Sequence, residues 1–162
     1  APAAREASET LLFSPRGTRG FNPFTRAGRF SGRISSLTPG LKDGFPLNVI
    51  IIETKGAATA IGAIAAEEAV DVLYLGVYDM SVALGCPGDV GHPKVARFVE
   101  KAARTARRAG KAVGMMVRTP EEAKRAASIG ATFFVYGVDA SFILDAAGHA
   151  VSEVRSALGS RR

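Results

Sequence analysis

Two acidic side chains stand where an apolar run of residues ends. The stretch NVIIIETKG (48–56) runs through three consecutive isoleucines to Glu53, and the next apolar run, VLYLGVYDMS, leads to Asp79. An ionised carboxylate beside a buried segment must be paired or bound to a cation, because leaving it unpaired in apolar surroundings is very costly. Carboxylate oxygens suit Mg²⁺ or Mn²⁺, which often take one or two protein carboxylates and leave the other positions to water and substrate. The spacing is therefore consistent with a divalent-metal site formed by Glu53 and Asp79.

Each acid also has a simpler interpretation. Either carboxylate could cap the helix that follows it, or pair with a lysine such as Lys55. For one acid alone the simpler interpretation is preferable. The recurrence of an acid at equivalent ends of two successive units is what keeps the metal hypothesis open beside it.

A repeating order of apolar runs and helical segments positions these acids. The apolar runs occupy residues 48–53, 71–77, 111–117 and 132–138, and helical segments follow them. Helices are expected at 56–69, at 93–109 and after Thr119, which is the predicted N-cap, with Pro120 as the first helical residue and Glu122 completing a capping box. Strands that are apolar on both faces and alternate with amphipathic helices are typical of a parallel sheet wrapped by helices. The reactive edge of such a sheet is formed by the carboxyl ends of its strands, where both acids are expected.

Two architectures contain such units, the open doubly wound sheet and the (β/α)8 barrel. A nucleotide-binding doubly wound sheet needs a glycine-rich turn after its first strand, and ETKGAAT carries a single glycine. A complete barrel takes about 250 residues, and this chain has 162. The sequence predicts an α/β fold that is a partial (β/α)8, TIM-type barrel. Residues 1–47 are expected to be an N-terminal helix remnant and a long pocket loop, and 48–162 a half-barrel of four units carrying the metal site.

The overall composition is that of a soluble globular protein, since 47% of the residues are hydrophobic and 22% are charged. The net charge of +6 does not predict a nucleic-acid partner, because much of it lies on the polar face of the amphipathic segment 93–109. No apolar run approaches the ~18 residues of a membrane helix, and no secretory leader opens the sequence. Cys86 is the single cysteine, so an internal disulfide is excluded. We expect a cytoplasmic protein without nucleic-acid or membrane partners.

Several motifs in a fixed order carry a resemblance to a known family. RGTRG, IETK, YLGVYDMS followed by HP, GKAVG and YGVD occur in the order seen in the HpcH/HpaI aldolase/citrate lyase family. That family includes metal-dependent pyruvate aldolases that act on hydroxy-oxo-heptanedioate and on dehydro-deoxy-glucarate. The resemblance covers about residues 4–158 and implies the last four strand–helix units of a (β/α)8 barrel.

The resemblance also implies roles for individual residues. Glu53 and Asp79 match the family's metal ligands, and the implied cofactor is Mg²⁺ or Mn²⁺. The metal would chelate the pyruvyl part of the substrate and neutralise charge on the enolate oxygen during cleavage to pyruvate and an aldehyde. The implied substrate contacts come from the RGTRG loop and from the turn after the second strand: Arg16, Gly17, Arg19, Tyr78 and Asp79.

Departures from the family pattern leave two functional hypotheses open. The family's histidine base and pyruvate-binding arginine belong to the first half of the barrel, so the catalytic base is unknown, and His92 and His149 are interpreted as structural or surface residues. Ile51 replaces a family glutamine, and Tyr78 stands where a smaller residue is usual.

The first hypothesis is a carbon–carbon lyase, a divalent-metal aldolase. The alternative is a catalytically incomplete half-barrel that acts as a binding or assembly module or is a truncated remnant. Both predict a homo-oligomer, and the last helix could form its contact.

Overall fold

Strands and helices alternate from residue 49 onward in the computed structural model, which describes residues 1–20, 22–26, 30 and 47–159. The strands are β1 (Val49–Ile52), β2 (Val72–Leu75), β3 (Ala112–Val117) and β4 (Ala131–Tyr136). The helices are α1 (Pro2–Leu11), α2 (Lys55–Thr59), α3 (Ile61–Ala65), α4 (Val77–Ala83), α5 (Pro93–Arg108), α6 (Pro120–Ser128) and α7 (Asp139–Ala157). The four predicted strands are present.

The strands form one parallel sheet in the order β1-β2-β3-β4. Each strand pairs with the next one in the chain, as the partners Ile52 with Leu75 and Leu73 with Val113 illustrate. A doubly wound sheet reverses its strand order at a switch point, and no reversal occurs in this sheet. The order is that of an arc of a (β/α)8 barrel, which confirms the predicted fold class.

The hydrophobic core lies between the sheet and its helices. Leu73, Leu75 and Val113 alternate along β2 and β3 with residues of the other face, and all three are almost completely buried. Helix α5 packs on them with a stripe that repeats at helical spacing: Val95, Val99, Ala102, Ala103 and Ala106. The small alanines allow this helix to approach the strands closely. Its charged residues lie on the opposite face because of the helical period of the apolar stripe.

The other face of the sheet is apolar but partly uncovered among the described residues. A Cβ on Gly114 would lie 2.9 Å from the Tyr74 ring and 3.2 Å from the Phe133 ring, so these side chains meet over the glycine. Ile51 is 51% exposed and Val135 is 38% exposed on this face. In a closed barrel this face would line the interior.

Residues before the sheet form one helix and a set of turns. The predicted N-terminal helix is α1, and it is anchored by Asn48, whose Nδ2 donates to Ser8 Oγ at 2.9 Å and to Ala69 O at 2.8 Å. Most of the predicted pocket loop, residues 21, 27–29 and 31–46, lies outside the described residues. The division into a loop region and a half-barrel stays a prediction.

Two helical predictions differ from the structure in detail. The segment 56–69 forms two short helices, α2 and α3, which meet at Ala60. Helix α4 was not predicted, because its sequence VYDMSVA is short and continues the apolar run of β2 without a polar face. Hydrophobic periodicity therefore did not predict the helix that carries Asp79.

The start of α6 follows its prediction with one difference. Thr119 Oγ1 accepts from the backbone N–H of Glu122 at 3.1 Å, and Pro120 is the first helical residue. The Glu122 carboxylate accepts from the N–H of Arg118 at 2.7 Å rather than from Thr119. This hydrogen bond lowers the pKa of Glu122.

None of the helices within the described ranges is long and apolar enough to cross a membrane.

Candidate metal centre

Glu53 is the residue directly after β1, at the carboxyl end of the sheet. It is half-buried, and alternation along the strand places it on the same face as Ile51. The cap of α2 is Thr54, whose Oγ1 accepts from the N–H of Ala57 at 3.1 Å. Among the described residues Glu53 makes no hydrogen bond and no ion pair, with Lys55 or any other residue. The two simpler interpretations of this acid are therefore not observed.

The Glu53 side chain lies against the backbone of Gly76 on the neighbouring strand. Gly76 N–H donates to Ile52 O at 3.1 Å, which extends the pairing of β1 and β2 by one residue. A Cβ built on Gly76 would lie 2.7 Å from Glu53 Cβ and 3.0 Å from Glu53 Oε2. The absence of a side chain at residue 76 thus leaves the space that the carboxylate occupies.

Asp79 is the third residue of α4, which begins directly after Gly76. Its two successors, Met80 and Ser81, are 1% and 0% exposed, whereas Tyr78 and Asp79 are exposed. Because successive helical residues point about 100° apart, Asp79 lies opposite the side of the helix that Met80 and Ser81 bury. Asp79 forms no hydrogen bond or ion pair with a described residue. An acid in a first helical turn is also favourable without a metal.

Glu53 and Asp79 carry the type of oxygen donor that suits a hard divalent cation. They follow adjacent parallel strands at one edge of the sheet, and Gly76 separates the end of β2 from the turn that carries Asp79. No cluster of three or more His, Cys, Asp or Glu residues occurs within the described ranges. A set of one or two carboxylates is what Mg²⁺ commonly takes from a protein. Glu53 and Asp79 would hold such an ion, and the remaining positions would be left to water and substrate.

Tyr74 lies on the same face of β2 as Gly76, two residues earlier. Burial raises the pKa of its phenol, so the group stays protonated at neutral pH and adds no charge beside Glu53.

The RGTRG loop folds back on the end of α1. Gly17 packs directly on the carbonyl oxygens of Glu9 and Leu12, where no side chain would fit. The Arg19 guanidinium lies 4.9 Å from the centre of the Phe13 ring, while Arg16 is exposed. No hydrogen bond joins this loop to the strand-end acids within the described residues.

A cleft of about 400 Å³ opens beside the turn that carries Asp79. Tyr78 lies in its wall together with residues from α5, β3 and α6, among them Val99, Met115 and Ile129. This cleft was not predicted, because its walls come from separate elements that only the packing of α5 and α6 on the sheet brings together. Tyr78 is the residue that the cleft and the predicted substrate contacts have in common.

Two residues of this region were missed by the sequence analysis. Gly76 and Ser81 both lie within the motif YLGVYDMS, but nothing in a single sequence distinguishes them from other small residues. Their importance arises from contacts with Glu53 and with a later loop, which are set by strand register and helix packing.

Comparison with known proteins identifies relatives over nearly the whole chain. The model of the HpcH/HpaI aldolase/citrate lyase family matches residues 3–146. A 2-keto-3-deoxy-L-rhamnonate aldolase from Shigella boydii serotype 4 (strain Sb227) is 35% identical over 147 residues, which are 90% of this chain and 54% of that protein. The chain thus spans about half the length of the curated relatives it matches.

Solved structures agree with the observed fold. A HpcH/HpaI aldolase/citrate lyase family protein from Burkholderia cenocepacia J2315 superimposes with a TM-score of 0.84 at 28% identity, over 95% of this chain and 61% of that one. The HpcH/HpaI aldolase from Desulfitobacterium hafniense DCB-2 gives a TM-score of 0.82 at 24% identity, over 93% and 58% of the two chains. The second similarity concerns the fold alone.

Proposed function

The chain belongs to the HpcH/HpaI aldolase/citrate lyase family, and from this premise we propose that it carries the metal-binding half of an aldolase. The proposed reaction is the divalent-metal-dependent cleavage of a hydroxy-oxo acid to pyruvate and an aldehyde. The observation that carries the proposal is the half-buried carboxylate of Glu53. It rests against Gly76 without a described protein partner, beside the turn of Asp79.

The proposed roles divide between holding the metal and orienting the substrate. Glu53 and Asp79 hold Mg²⁺ or Mn²⁺, and the backbone of Tyr78 and Asp79 orients the carboxylate of the pyruvyl group. A bound divalent ion supplies Lewis-acid stabilisation of the charge that develops on the enolate oxygen. The loop residues Arg16, Gly17 and Arg19 are retained as proposed substrate contacts. Arg16 is the freer of the two arginines, because the Arg19 guanidinium is stacked on Phe13. We assign no catalytic base.

We also propose a homo-oligomer built through α7. Every described side chain from Phe142 to Ala157 is exposed, and none of the helix is buried. The exposed apolar residues of this helix and its end are Phe142, Ile143, Leu144, Val151, Val154 and Leu158. A row of this kind is typical of an interface rather than of a solvated surface. The proposed location is the cytoplasm.

The second candidate function, a half-barrel that acts as a binding or assembly module, is favoured by the partly uncovered sheet face. Ile51 and Val135 are exposed there, and a sheet with open edges and an apolar face pairs readily with another chain. This candidate requires no metal, which separates it from the first.

The decisive experiment compares wild type with Glu53→Ala and Glu121→Ala. Glu121 is an exposed glutamate in the first turn of α6 and serves as a matched control. Pyruvate release is measured with Mn²⁺ and with Mg²⁺. The first substrate tested is 2-keto-3-deoxy-L-rhamnonate, because one relative is named as an aldolase for this compound. Mn²⁺ binding is measured in parallel by calorimetry.

We expect wild type and Glu121→Ala to bind Mn²⁺ and release pyruvate, and Glu53→Ala to lose both properties. If the wild type is folded but binds no Mn²⁺, only the second candidate function remains. Metal binding without pyruvate release would restrict the role of this chain to supplying the metal site.

A further inference from the structure

Ser81 is fully buried, and its hydroxyl group joins two backbone segments. Ser81 Oγ donates to Tyr78 O at 2.6 Å and accepts from Gly88 N–H at 2.9 Å. Its exposure is 0%, so water does not compete for either bond. The hydroxyl group thus acts once as a donor and once as an acceptor.

The two partners of Ser81 lie in different segments, one in the first turn of α4 and one in the loop after this helix. Tyr78 O belongs to the peptide group that joins Tyr78 to Asp79, whereas Gly88 lies in the loop that follows α4. Cys86 N–H also donates to Ser81 O at 2.9 Å, so the loop is attached at two points. The same loop carries Val90, which faces the cleft together with Tyr78. Ser81 thus connects the turn at residues 78 and 79 to this loop.

The bond from Gly88 is what distinguishes Ser81 from an ordinary helical serine. Ser128 in α6 makes the same local bond, from its Oγ to Arg125 O at 2.7 Å, but this side chain is exposed. A serine that bonds to the carbonyl three residues earlier is a common local feature and implies no function. Ser81 adds a buried bond that reaches seven residues along the chain.

We propose that Ser81 is a positioning residue of the metal site, which fixes the backbone of Tyr78 and Asp79 so that the Asp79 carboxylate meets the ion in one orientation. This inference rests on the proposed function. Metal ligands must be held to within a fraction of an ångström, and removing a group that supports a ligand typically lowers metal affinity about 10–100-fold. Ser81 acts through Asp79 and contacts neither the ion nor the substrate.

The test measures Mn²⁺ affinity of the full chain by calorimetry, together with thermal unfolding. The variants are Ser81→Ala and, as a milder change, Ser81→Cys, which keeps a similar size with a weaker hydrogen-bonding group. Ser128→Ala controls for the loss of the local bond. Asn48→Ala controls for destabilisation, because it removes buried hydrogen bonds at the opposite end of the sheet.

We expect Ser81→Ala to weaken Mn²⁺ binding about tenfold or more and Ser81→Cys to weaken it less. The two controls should bind as wild type does. Wild-type affinity in a folded Ser81 variant, or an equal loss in Asn48→Ala, would overturn the inference. If Glu53→Ala loses Mn²⁺ binding in the same assay, the proposed function survives that result. If Glu53→Ala and wild type bind Mn²⁺ alike, both the proposed function and this inference are wrong.

Discussion

Gly76 and Glu53 lie so close together at the ends of β2 and β1 that a methyl group on residue 76 would have no room. Its Cβ would come within 2.7 Å of Glu53 Cβ and 3.0 Å of Glu53 Oε2. The backbone of Gly76 has φ −77° and ψ 80°, close to an inverse γ-turn, which residues other than glycine also adopt. The requirement for glycine is therefore steric, and the group that demands the space is the candidate metal ligand.

Gly76→Ala should displace the Glu53 carboxylate. Because the backbone tolerates alanine, the substitution acts through the clash alone, and we expect it to destabilise the fold by about 1–3 kcal/mol. It should also weaken Mn²⁺ binding, since the carboxylate leaves its position. Urea unfolding and calorimetric Mn²⁺ titration measure the two effects.

Gly62→Ala is the control for that substitution. Gly62 lies inside α3, and a Cβ there meets no atom within 4 Å. Alanine favours the helix by up to about 1 kcal/mol over glycine, so this variant should be as stable as wild type or more so. Unchanged metal binding in both variants would contradict the role assigned to Gly76.

Asn48→Ala should destabilise the docking of α1. Asn48 is 4% exposed, and its side-chain amide donates to Ser8 Oγ and Ala69 O. Removing the donor breaks both bonds and leaves Ala69 O without this partner, while Ser8 Oγ keeps its bond to Ala4 O; a loss of this kind typically costs about 1–3 kcal/mol. Urea unfolding measures the loss, and amide hydrogen exchange in α1 should accelerate.

The exposed Thr59→Ala is its control, because within the described part of the chain Thr59 Oγ1 bonds to Lys55 O alone, on the surface. A change within about 0.5 kcal/mol is expected there. Equal losses of unfolding free energy in the two variants would show that the Asn48 hydrogen bonds stabilise the fold no more than a surface bond does.

Glu122→Gln should make stability less dependent on pH in the acid range. The bond from Arg118 N–H lowers the pKa of Glu122 in the folded chain below its ordinary value of 4.5. The charged carboxylate therefore stabilises the fold above that value, and the contribution is lost as the pH falls through the lower folded pKa. At an exposed helix start we expect at most about 1 kcal/mol at neutral pH.

Chemical denaturation of wild type and Glu122→Gln between pH 7 and pH 2 measures this effect. The difference in unfolding free energy should be largest at neutral pH and vanish at the acid end. Glu121→Gln, on the same turn, controls for the general loss of a negative charge. A difference for Glu122 that stays constant over the whole range would exclude the carboxylate as its cause.

Leu144→Glu should weaken self-association if α7 forms the contact between copies. Leu144 is 72% exposed on a helix with no buried residue, so the substitution should not disturb the fold of the described body. Placing a charge in an apolar interface is strongly unfavourable. Light scattering after size-exclusion chromatography should report a smaller assembly, while circular dichroism stays unchanged.

Ser152→Glu adds the same charge to the same helix at an exposed polar residue and should retain the assembly. Dissociation of both variants alike would indicate a general charge effect. An unchanged assembly in Leu144→Glu would show that α7 does not form the interface.

The sequence alone predicted the order of the strands and of every helix except α4 and the break between α2 and α3. Apolar runs bounded by glycine, proline and capping residues predicted all four strands, and Thr119 with Pro120 predicted the start of α6. These signals are local, because hydrogen bonding at a helix end or alternation along a strand depends on neighbours in the chain. The same reasoning failed for α4, whose seven residues are too few to express a helical period.

The position of Glu53 was likewise predictable from the sequence, since an acid directly after an apolar strand falls at the carboxyl edge of a parallel sheet wherever that sheet forms. The position of Asp79 was not, because it lies within α4 and not at the end of β2. Metal binding by the two acids stays a prediction. Tertiary structure alone decided what surrounds these acids. The contact of Gly76 with Glu53 depends on the register of β1 against β2, and the bond of Ser81 to Gly88 depends on the path of a later loop. Such contacts join residues that are distant in the chain, so no period or motif within one segment encodes them.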